Sequence, residues 1–521
     1  MKRIRTSGNT VYRRVLSTLV MIGLGGPAFG DTERPLPMPP VVVVKVSAMS
    51  ITQREALERR IDEIANRAAN AKPFIYEDSL PIHIKSSFDP VNESLIMNTD
   101  ERLGPSAGSP DVEDMQSAVR QAISPLIEGI PSFWGVDWRY GGKDIYFWFP
   151  QDRVRRDPQS RTKASKGSAA MVLVSAGHGY YYHHGYSDWR AQRAPYHGIL
   201  EDNITTRFAS SLSSKLRRIG VAVTEARPPR DGIDELSGQP YDMLAARYRI
   251  KELLPERVDI WHSLPDDSTN LREYKEDIRS RPLYANALGV DAVVHLHTNA
   301  AESPAVRGTK VFFQSGQADS ARLGSMILCY MREQIHSLEG YRDFPVATAP
   351  EDGNYGENRL AKMPSVIVEV GFHTNAEDAE ALNDANFTIA SMHGIAKGYR
   401  LFSEGKACEE FAAEVPSTAT VDRDVLIVPV TVKGNPELPL TFDGKVASCD
   451  SQTCGSAHGV VFDESELQDA SMTIVCPESA AAAPFTLRVV ARDAAGIESM
   501  PAEMAVTCLH QEGSREAHRG A

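Results

Sequence analysis

The 521-residue chain has few cysteines, no excess of positive charge and no long apolar run after its first thirty residues. The formal net charge of −13 argues against a general nucleic-acid-binding protein, because such proteins usually carry a basic patch. No segment beyond the N-terminus has the ~20 consecutive apolar residues that a membrane-spanning helix needs. The length and the ordinary composition predict about two to four globular domains.

Only six cysteines are present, and none has the Cys-x-x-Cys spacing of a structural zinc site. An even number of cysteines in an exported chain is typical of disulfide bonds. Six cysteines allow ~15 connectivities, so the sequence does not fix one. The pairing that spacing and elimination favour is Cys449–Cys454, Cys476–Cys508 and Cys329–Cys408.

The N-terminus has the pattern of a signal peptide over residues 1–30. A basic stretch at 2–14 precedes a short apolar run at 15–24, and Ala28-Phe29-Gly30 supplies small residues for cleavage. Two alternatives stay open: an uncleaved membrane anchor, and export through the twin-arginine route because of Arg13-Arg14. We expect an exported protein with no transmembrane segment after signal removal.

Composition and periodicity predict a first folded region after a proline-rich linker at 31–40. This region, 41–150, is expected to be a small α+β domain of unknown role. The segments 136–140 and 144–149 flank Gly141-Gly142, a pattern typical of a β-hairpin. A polar, basic linker at 151–168 is expected to follow.

The second region, 169–404, alternates apolar runs with amphipathic segments. This alternation predicts an α/β fold with an open, mostly parallel sheet flanked by helices. We expect strands at 171–175, 221–224, 292–296, 310–313 and 365–370, and helices at 200–218, 319–335 and 387–401.

The third region, 421–510, follows a linker at 405–420 and contains β-like runs separated by turn residues. This pattern predicts a small β-sandwich. Residues 489–499 resemble a strand and turn of immunoglobulin-like or fibronectin-like modules. The tail at 511–521 is polar and is expected to be disordered.

Four residues with metal-binding or acid–base chemistry lie at predicted strand ends or helix starts: His178, Glu201, His297 and Glu369. Ligands of α/β proteins bind outside the carboxyl ends of the strands, so these side chains are expected to meet. Two histidines and one carboxylate form a three-ligand zinc site with a position left for water, whose pKa zinc lowers to ~7. A second carboxylate can then act as the general base.

These residues resemble the zinc-dependent N-acetylmuramoyl-L-alanine amidases of the amidase-3 type, over about residues 169–404. The motifs that carry the resemblance are Ser175-Ala176-Gly177-His178-Gly179, Leu200-Glu201-Asp202-Asn203, Arg281 with Ala285-Asn286, Asp291-Ala292, His295–Asn299, and Pro364, Glu369, Gly371, Phe372 and Asn375. The resemblance implies that His178, Glu201 and His297 are zinc ligands and that Glu369 is the catalytic carboxylate. It also implies hydrolysis of the amide that joins N-acetylmuramic acid to L-alanine in peptidoglycan, by a protein located in the periplasm, outside the cell or at the cell wall.

The chain departs from the family pattern in three places. Ser175-Ala176 replaces the usual Asp-Pro, which bears on how the loop is held. The segment 180–197 is rich in aromatic residues and histidines, which either stack on sugar rings or pack over the cleft, and His183 or His184 could compete for the metal. The polar segment 248–280 is expected to be a surface insertion, with a lid or an inhibitory helix as the alternatives.

We expect structural or surface roles for His295, His336, His373 and His393.

Two other functions remain open at this stage. One is a different zinc amide hydrolase, such as a carboxypeptidase; those usually take two ligands from a His-x-x-Glu pair, which is absent near His178. The other is a wall-binding protein that has lost activity. The flanking regions contain no known wall-binding repeat, and a protein activator or wall-anchoring partner would bind through one of them.

Overall fold

The computed structural model describes residues 44–71, 80–127, 129–153, 170–301, 303–422, 425–449, 454–477 and 484–509. The predicted signal peptide, the linker at 31–40, most of the linker at 151–168 and the tail lie outside these residues. The described residues group into one compact unit. Among the described helices, none has the length and apolar character needed to cross a bilayer.

The N-terminal region is a three-stranded sheet with helices, as the α+β prediction requires. Its elements are α1 (Ile51–Ala69), β1 (Ile84–Asp89), β2 (Ser94–Thr99), α2 (Pro110–Ile127), β3 (Gly135–Tyr140) and α3 (Ile145–Trp148). α1 begins with a capping box, in which Ser50 and Gln53 satisfy each other's backbone amides. In the sheet, β2 pairs antiparallel with β1 and parallel with β3.

The β-hairpin predicted around Gly141-Gly142 is wrong. β3 ends at Tyr140, and the residues after the two glycines form helix α3 instead of a second strand. The Asp144 side chain accepts a hydrogen bond from the Phe147 amide, which is the capping interaction of a helix start. The Gly-Gly turn, with φ of 60° and 80°, therefore connects a strand to a helix.

The central region has the predicted α/β architecture. Its elements are β4 (Met171–Ala176), β5 (Tyr181–His183), β6 (Asp188–Arg190), α4 (Glu201–Arg218), β7 (Ala222–Glu225), α5 (Ala246–Leu253), α6 (Val258–Trp261), α7 (Arg272–Leu288), β8 (Ala292–Asn299), β9 (Lys310–Phe313), α8 (Ala318–His336), β10 (Glu351–Asp352), α9 (Gly356–Arg359), β11 (Ser365–Phe372), α10 (Ala376–Asn383) and α11 (Ala385–Ser403). The main sheet has the order β10-β9-β11-β8-β4-β7. It is mixed: β7, β4, β8 and β11 are parallel, whereas β9 runs antiparallel to β11.

Apolar side chains cover both faces of this sheet. One face packs on α4, α8 and α11, through residues such as Phe208, Leu212 and Tyr399. The other face packs on α5 and α7, through Ile250 and Tyr284. Full burial of one such side chain stabilises the fold by ~1.5–3 kcal/mol. The two layers therefore hold the carboxyl ends of β4, β8 and β11 in fixed relative positions.

The C-terminal region is rich in β-strands, as predicted. Its strands are β12 (Ala412–Glu414), β13 (Thr418–Val421), β14 (Val425–Pro429), β15 (Thr431–Lys433), β16 (Leu440–Ser448), β17 (Ser456–Val461), β18 (Ser471–Val475), β19 (Phe485–Arg492) and β20 (Ala502–Cys508). Seven of them form a sheet in the order β13-β20-β19-β16-β17-β18-β14, and β12 pairs with β15. β12 and most of β13 lie in the stretch 405–420 that was expected to be a linker.

Three disulfides link the cysteines in the pairing that spacing favours. They are Cys329–Cys408, Cys449–Cys454 and Cys476–Cys508. The first joins α8 to the segment after α11, so the closing helix of the central region is covalently tied to its neighbour. The other two lie within the β-rich region.

Candidate active site

Three neighbouring parallel strands bring the predicted site residues to one edge of the sheet. β8 lies between β4 and β11. His178 follows the end of β4 by two residues, and His297 lies near the end of β8. Glu369 on β11 is in register with His297. Carboxyl ends of parallel strands form the usual ligand site of α/β proteins, and the four predicted residues meet there.

The turn that carries His178 depends on the two glycines beside it. His178 has φ 58°, a left-handed conformation that non-glycine residues rarely adopt. A Cβ on Gly177 would lie 2.3 Å from the His297 ring, and one on Gly179 would lie 2.7 Å from the Ala245 backbone. Gly177 therefore lets the His297 ring approach the turn, and Gly179 lets the Ala245 backbone approach it from the other side.

Side chains from other elements hold this turn in place of the family's Asp-Pro. The Arg227 guanidinium donates to the carbonyls of Gly177 and His178, each at 2.8 Å. Asp202 accepts the Gly179 amide at 2.9 Å. The substitution at Ser175-Ala176 is thus compatible with a well-held loop.

His178, Glu201 and His297 form a compact group of candidate metal ligands. The Nε2 atom of His178 lies 3.2 Å from Nδ1 of His297. The Oε1 atom of Glu201 lies 3.1 Å from Nδ1 of His297 and 3.4 Å from Nε2 of His178. In the described part of the chain, no other three histidine, cysteine or acidic side chains place ligand atoms within 4.8 Å of one another.

The electrostatics of this group favour the protonation states that a metal requires. Burial disfavours ionisation of Glu201, but the imidazoles of His178 and His297 outweigh burial and hold the pKa of that carboxyl well below its usual range. Burial lowers the pKa of His297 to about 4, although Glu201 opposes this shift. At neutral pH the site therefore has an ionised carboxylate and a neutral His297, the forms that bind zinc.

Glu369 lies on the same edge but is not part of the ligand group. Its Oε2 atom is buried and has no hydrogen-bond partner within the described residues. Burial raises the pKa of Glu369 well above its usual range, and the nearby Glu201 carboxylate raises it further. A carboxyl group with a free oxygen and a raised pKa is suited to accepting and releasing a proton.

Arg193, which was not predicted, brings a positive charge to the ligand atoms. Its Nε donates to Nε2 of His178 at 3.2 Å and lies 3.9 Å from Oε2 of Glu201. Its terminal nitrogens form a two-point ion pair with Asp114 of α2, at 2.8 and 3.1 Å. A cation thus already faces the lone pairs of His178 and Glu201, and the N-terminal region holds it.

A cleft of about 430 Å³ opens onto these residues. One wall is α2 of the N-terminal region, which contributes Asp111, Asp114 and Gln121. Tyr274 and Ile278 of α7 also line it. The segment 248–280 is therefore not a plain surface insertion, since its last part is a buried helix beside the site.

The aromatic segment 180–197 mostly packs on itself and on the adjacent helices. Tyr182 contacts Trp189, and Trp189 contacts Tyr248 of α5. Of the aromatic residues in this segment, Tyr196 lines the cleft. His184 lies by Glu273 and Arg272, so it is not part of the ligand group.

The remaining histidines have distinct surroundings. His336 and His393 contact a backbone carbonyl and Glu437, respectively, as expected of structural residues. His295 is fully buried beneath the site. His373 is also buried, lines the cleft and hydrogen-bonds Thr298 at 2.9 Å.

We expect Glu113 of α2 to make stability depend on pH. Its Oε1 accepts the Gly356 amide at 2.8 Å, and burial raises its pKa from 4.5 to about 7, although Arg359 opposes the shift. The folded protein then keeps a proton that the unfolded chain releases, so the free energy of unfolding falls as pH rises from 4.5 to about 7. Such a shift amounts to about 3 kcal/mol.

Glu113→Gln keeps an acceptor for the Gly356 amide but cannot ionise. The free energy of unfolding is measured for both proteins by urea unfolding, monitored by tryptophan fluorescence. The variant's value minus the wild-type value should increase between pH 4.5 and 7 and stay constant above pH 7. A difference between variant and wild type that does not change with pH would contradict the buried, raised-pKa state of Glu113.

Comparison with known proteins agrees with the resemblance drawn from the motifs. A family described as "N-acetylmuramoyl-L-alanine amidase" matches residues 172–400. N-acetylmuramoyl-L-alanine amidase LytC of Bacillus subtilis is 29% identical over 123 residues, which are 23% of each chain. The uncharacterized protein YqiI of the same organism is 30% identical over 123 residues, 23% of this chain and 55% of that one.

Among solved structures, the catalytic domain of CwlV, an N-acetylmuramoyl-L-alanine amidase from Bacillus (Paenibacillus) polymyxa var. colistinus, is 18% identical. The match covers 46% of this chain and 99% of that domain, with a TM-score of 0.31. The chain matches only about a quarter and about half of the lengths of the two Bacillus subtilis relatives.

Proposed function

We propose that this protein is a zinc-dependent N-acetylmuramoyl-L-alanine amidase that acts on peptidoglycan, because the family described by that amidase name matches residues 172–400. The observation that carries the proposal is the convergence of His178, Glu201 and His297 from three separate elements, with Glu369 beside them. Their positions agree with the roles that the sequence motifs imply.

The donor set fits a zinc ion. Two imidazole nitrogens and one carboxylate oxygen, all buried and within 4.8 Å of one another, match the donor set that catalytic zinc sites with an open position use. The Arg193 guanidinium donates to Nε2 of His178, so it would have to move aside for the ion to bind that nitrogen. His178, Glu201 and His297 would hold the metal.

The bound ion would supply a Lewis acid that polarises the substrate carbonyl and makes water more acidic. The protein's own contribution is proton transfer by Glu369. Its unpaired Oε2 accepts a proton from the attacking water, and the same carboxyl group then donates that proton to the alanine nitrogen. A C–O bond forms at the lactyl carbonyl, the C–N bond breaks, and a carboxylic acid and a free amine result.

The flanking regions fit an exported, multidomain enzyme. We keep as proposals a signal peptide at 1–30, an N-terminal domain at 41–150, a catalytic domain at 169–404 and an immunoglobulin- or fibronectin-like domain at 421–510. Three disulfides support an oxidising compartment outside the cytoplasm. An activator or anchoring partner would bind through the N-terminal or C-terminal region.

The proposal is tested by digesting purified peptidoglycan and analysing the products by mass spectrometry. We expect free stem peptides that begin with alanine, together with glycan strands stripped of peptide. A chelator should stop the release and added zinc should restore it, since the reaction depends on the metal.

Each alternative activity gives a different product. A carboxypeptidase would release a terminal amino acid and leave the stem attached to the sugar. A wall-binding protein without activity would sediment with peptidoglycan and release nothing. Either result would overturn the proposed function.

A further inference from the structure

Each candidate ligand histidine directs one ring nitrogen to the shared centre and the other to the protein. The outer nitrogen of His297, Nε2, lies 3.0 Å from Oε2 of Glu357. The outer nitrogen of His178, Nδ1, lies 3.0 Å from Oε1 of Gln192. Carboxylate and amide oxygens only accept hydrogen bonds, so both outer nitrogens must carry the proton. The inner nitrogens are then unprotonated, which is the form that a metal ligand needs.

The two acceptors belong to one chain of interactions. Gln192 donates its Nε2 to Oδ2 of Asp277 at 3.0 Å, which fixes the amide so that its oxygen faces His178. Arg281 donates one guanidinium nitrogen to Asp277 and another to Glu357. We name Gln192, Asp277, Arg281 and Glu357 the outer network. It connects the far sides of both ligand histidines.

The charged members of the outer network are deeply buried. Arg281 and Asp277 are 0% exposed and Glu357 is 4% exposed. Burying charged groups is costly unless they are paired, and even a paired set often stabilises a fold less than apolar residues would. Stability alone therefore does not explain the outer network well. Orientation of the two candidate ligand histidines explains it better.

We infer that Glu357 and Asp277, joined by Arg281, are positioning residues that fix the tautomers and ring orientations of His297 and His178 and thereby raise the affinity for zinc. The inference rests on the metal site of the proposed function. Partners of this kind typically contribute 10–100-fold to metal affinity, because they select the ligand tautomer and prevent ring rotation.

Glu357→Gln tests the inference at His297. Glu357 accepts hydrogen bonds from both Arg281 and His297, whereas glutamine has one oxygen and one NH₂ group. An NH₂ group facing His297 favours the tautomer with its proton on the ligand nitrogen Nδ1. We expect zinc binding by the metal-free protein, measured by competition with a chromophoric chelator, to weaken by about 10–100-fold.

Two further variants cover the other end of the network. Asp277→Asn should weaken zinc binding by disturbing Gln192 and Arg281. Gln192→Ala removes the acceptor of His178 without leaving a buried charge unpaired, so it tests the inference even if the buried variants do not fold. In all three, kcat at saturating zinc should recover toward the wild-type value while KM for substrate stays unchanged.

Glu276→Gln is the matched control. Glu276 lies beside Asp277 on α7, is fully buried, and pairs with Arg247 and His262 instead of with either candidate ligand histidine. This variant should keep wild-type zinc affinity even where its thermal midpoint falls. A role of the outer network in stability alone would lower the midpoint and leave zinc affinity unchanged.

The outcomes separate this inference from the proposed function. If Glu357→Gln and Gln192→Ala bind zinc as tightly as the wild type does, and the wild type releases stem peptides, only the inference is overturned. If these variants bind zinc more weakly than the wild type, and the wild type cleaves no peptidoglycan, the inference is supported and the proposed function is overturned. A wild type that binds no zinc overturns both.

Discussion

Replacement of Glu369 by glutamine is expected to abolish release of stem peptides while zinc stays bound. The substitution preserves the shape of the side chain but removes its capacity to take a proton from water and pass it to the amine. General acid–base catalysis by one side chain typically contributes ~10²–10⁴-fold, so kcat should fall by about that factor. The three ligand side chains are untouched, so the zinc content should match that of the wild type.

The structure explains why no neighbour should replace Glu369. Its buried Oε2 has no partner among the described side chains. The nearby Glu201 carboxylate is occupied by His178, His297 and the Thr298 amide. The Glu357 carboxylate is occupied by Arg281 and His297. Initial rates of peptide release and metal analysis by plasma mass spectrometry measure the two properties independently.

Glu351→Gln is a suitable control for this experiment. Glu351 lies on β10, is partly buried and pairs with Lys310, the residue in register with Glu369 on β9. It does not line the cleft, so its substitution should leave peptide release unchanged. If Glu369→Gln keeps wild-type kcat, another group transfers the proton; if it loses zinc, Glu369 supports the metal instead.

The central fold and the four candidate site residues follow from local sequence signals. Apolar runs of four to eight residues separated by amphipathic helices predict a mainly parallel sheet, and β4, β8 and β11 are of this kind. His178 between two glycines was recognisable because a tight turn at a strand end exposes a side chain. The predicted convergence of His178, Glu201, His297 and Glu369 depended on the rule that parallel strands end at one edge.

The outer network had no comparable signal. Glu357 and His297 are 60 residues apart, and Glu357 lies in the four-residue helix α9, which is too short to give a periodic pattern. Arg281 belonged to a recognised motif, but nothing in that motif predicts its pairing with Asp277 and Glu357. Contacts between distant buried charges depend on tertiary packing, which residue spacing does not encode.

The N-terminal region shows a similar limit. Its α+β composition was predictable, but its role as a wall of the cleft was not, because the Asp114–Arg193 ion pair joins residues 79 positions apart. The hairpin at Gly141-Gly142 was predicted from turn chemistry alone. The capping side chain of Asp144 was a competing local signal for a helix, and the structure follows that signal.

Alanine at a candidate ligand position is expected to remove both zinc and activity. His297→Ala deletes the imidazole that lies 3.2 Å from His178 and 3.1 Å from Glu201. His178→Ala and Glu201→Ala would likewise leave only two candidate ligands each. Because the metal contributes several kcal/mol to catalysis and ~1.4 kcal/mol corresponds to tenfold, the rate should fall by ~10³-fold or more. Excess zinc should not restore it.

His373→Ala provides the matched histidine control for metal content. His373 is buried and lines the same cleft, but its Nδ1 hydrogen-bonds Thr298 and it is not part of the ligand group. This variant should retain about one zinc per chain, as the wild type should after dialysis against the metal. Full zinc occupancy in both His178→Ala and His297→Ala would show that the ion binds elsewhere, and the assigned ligand group would then have to be abandoned.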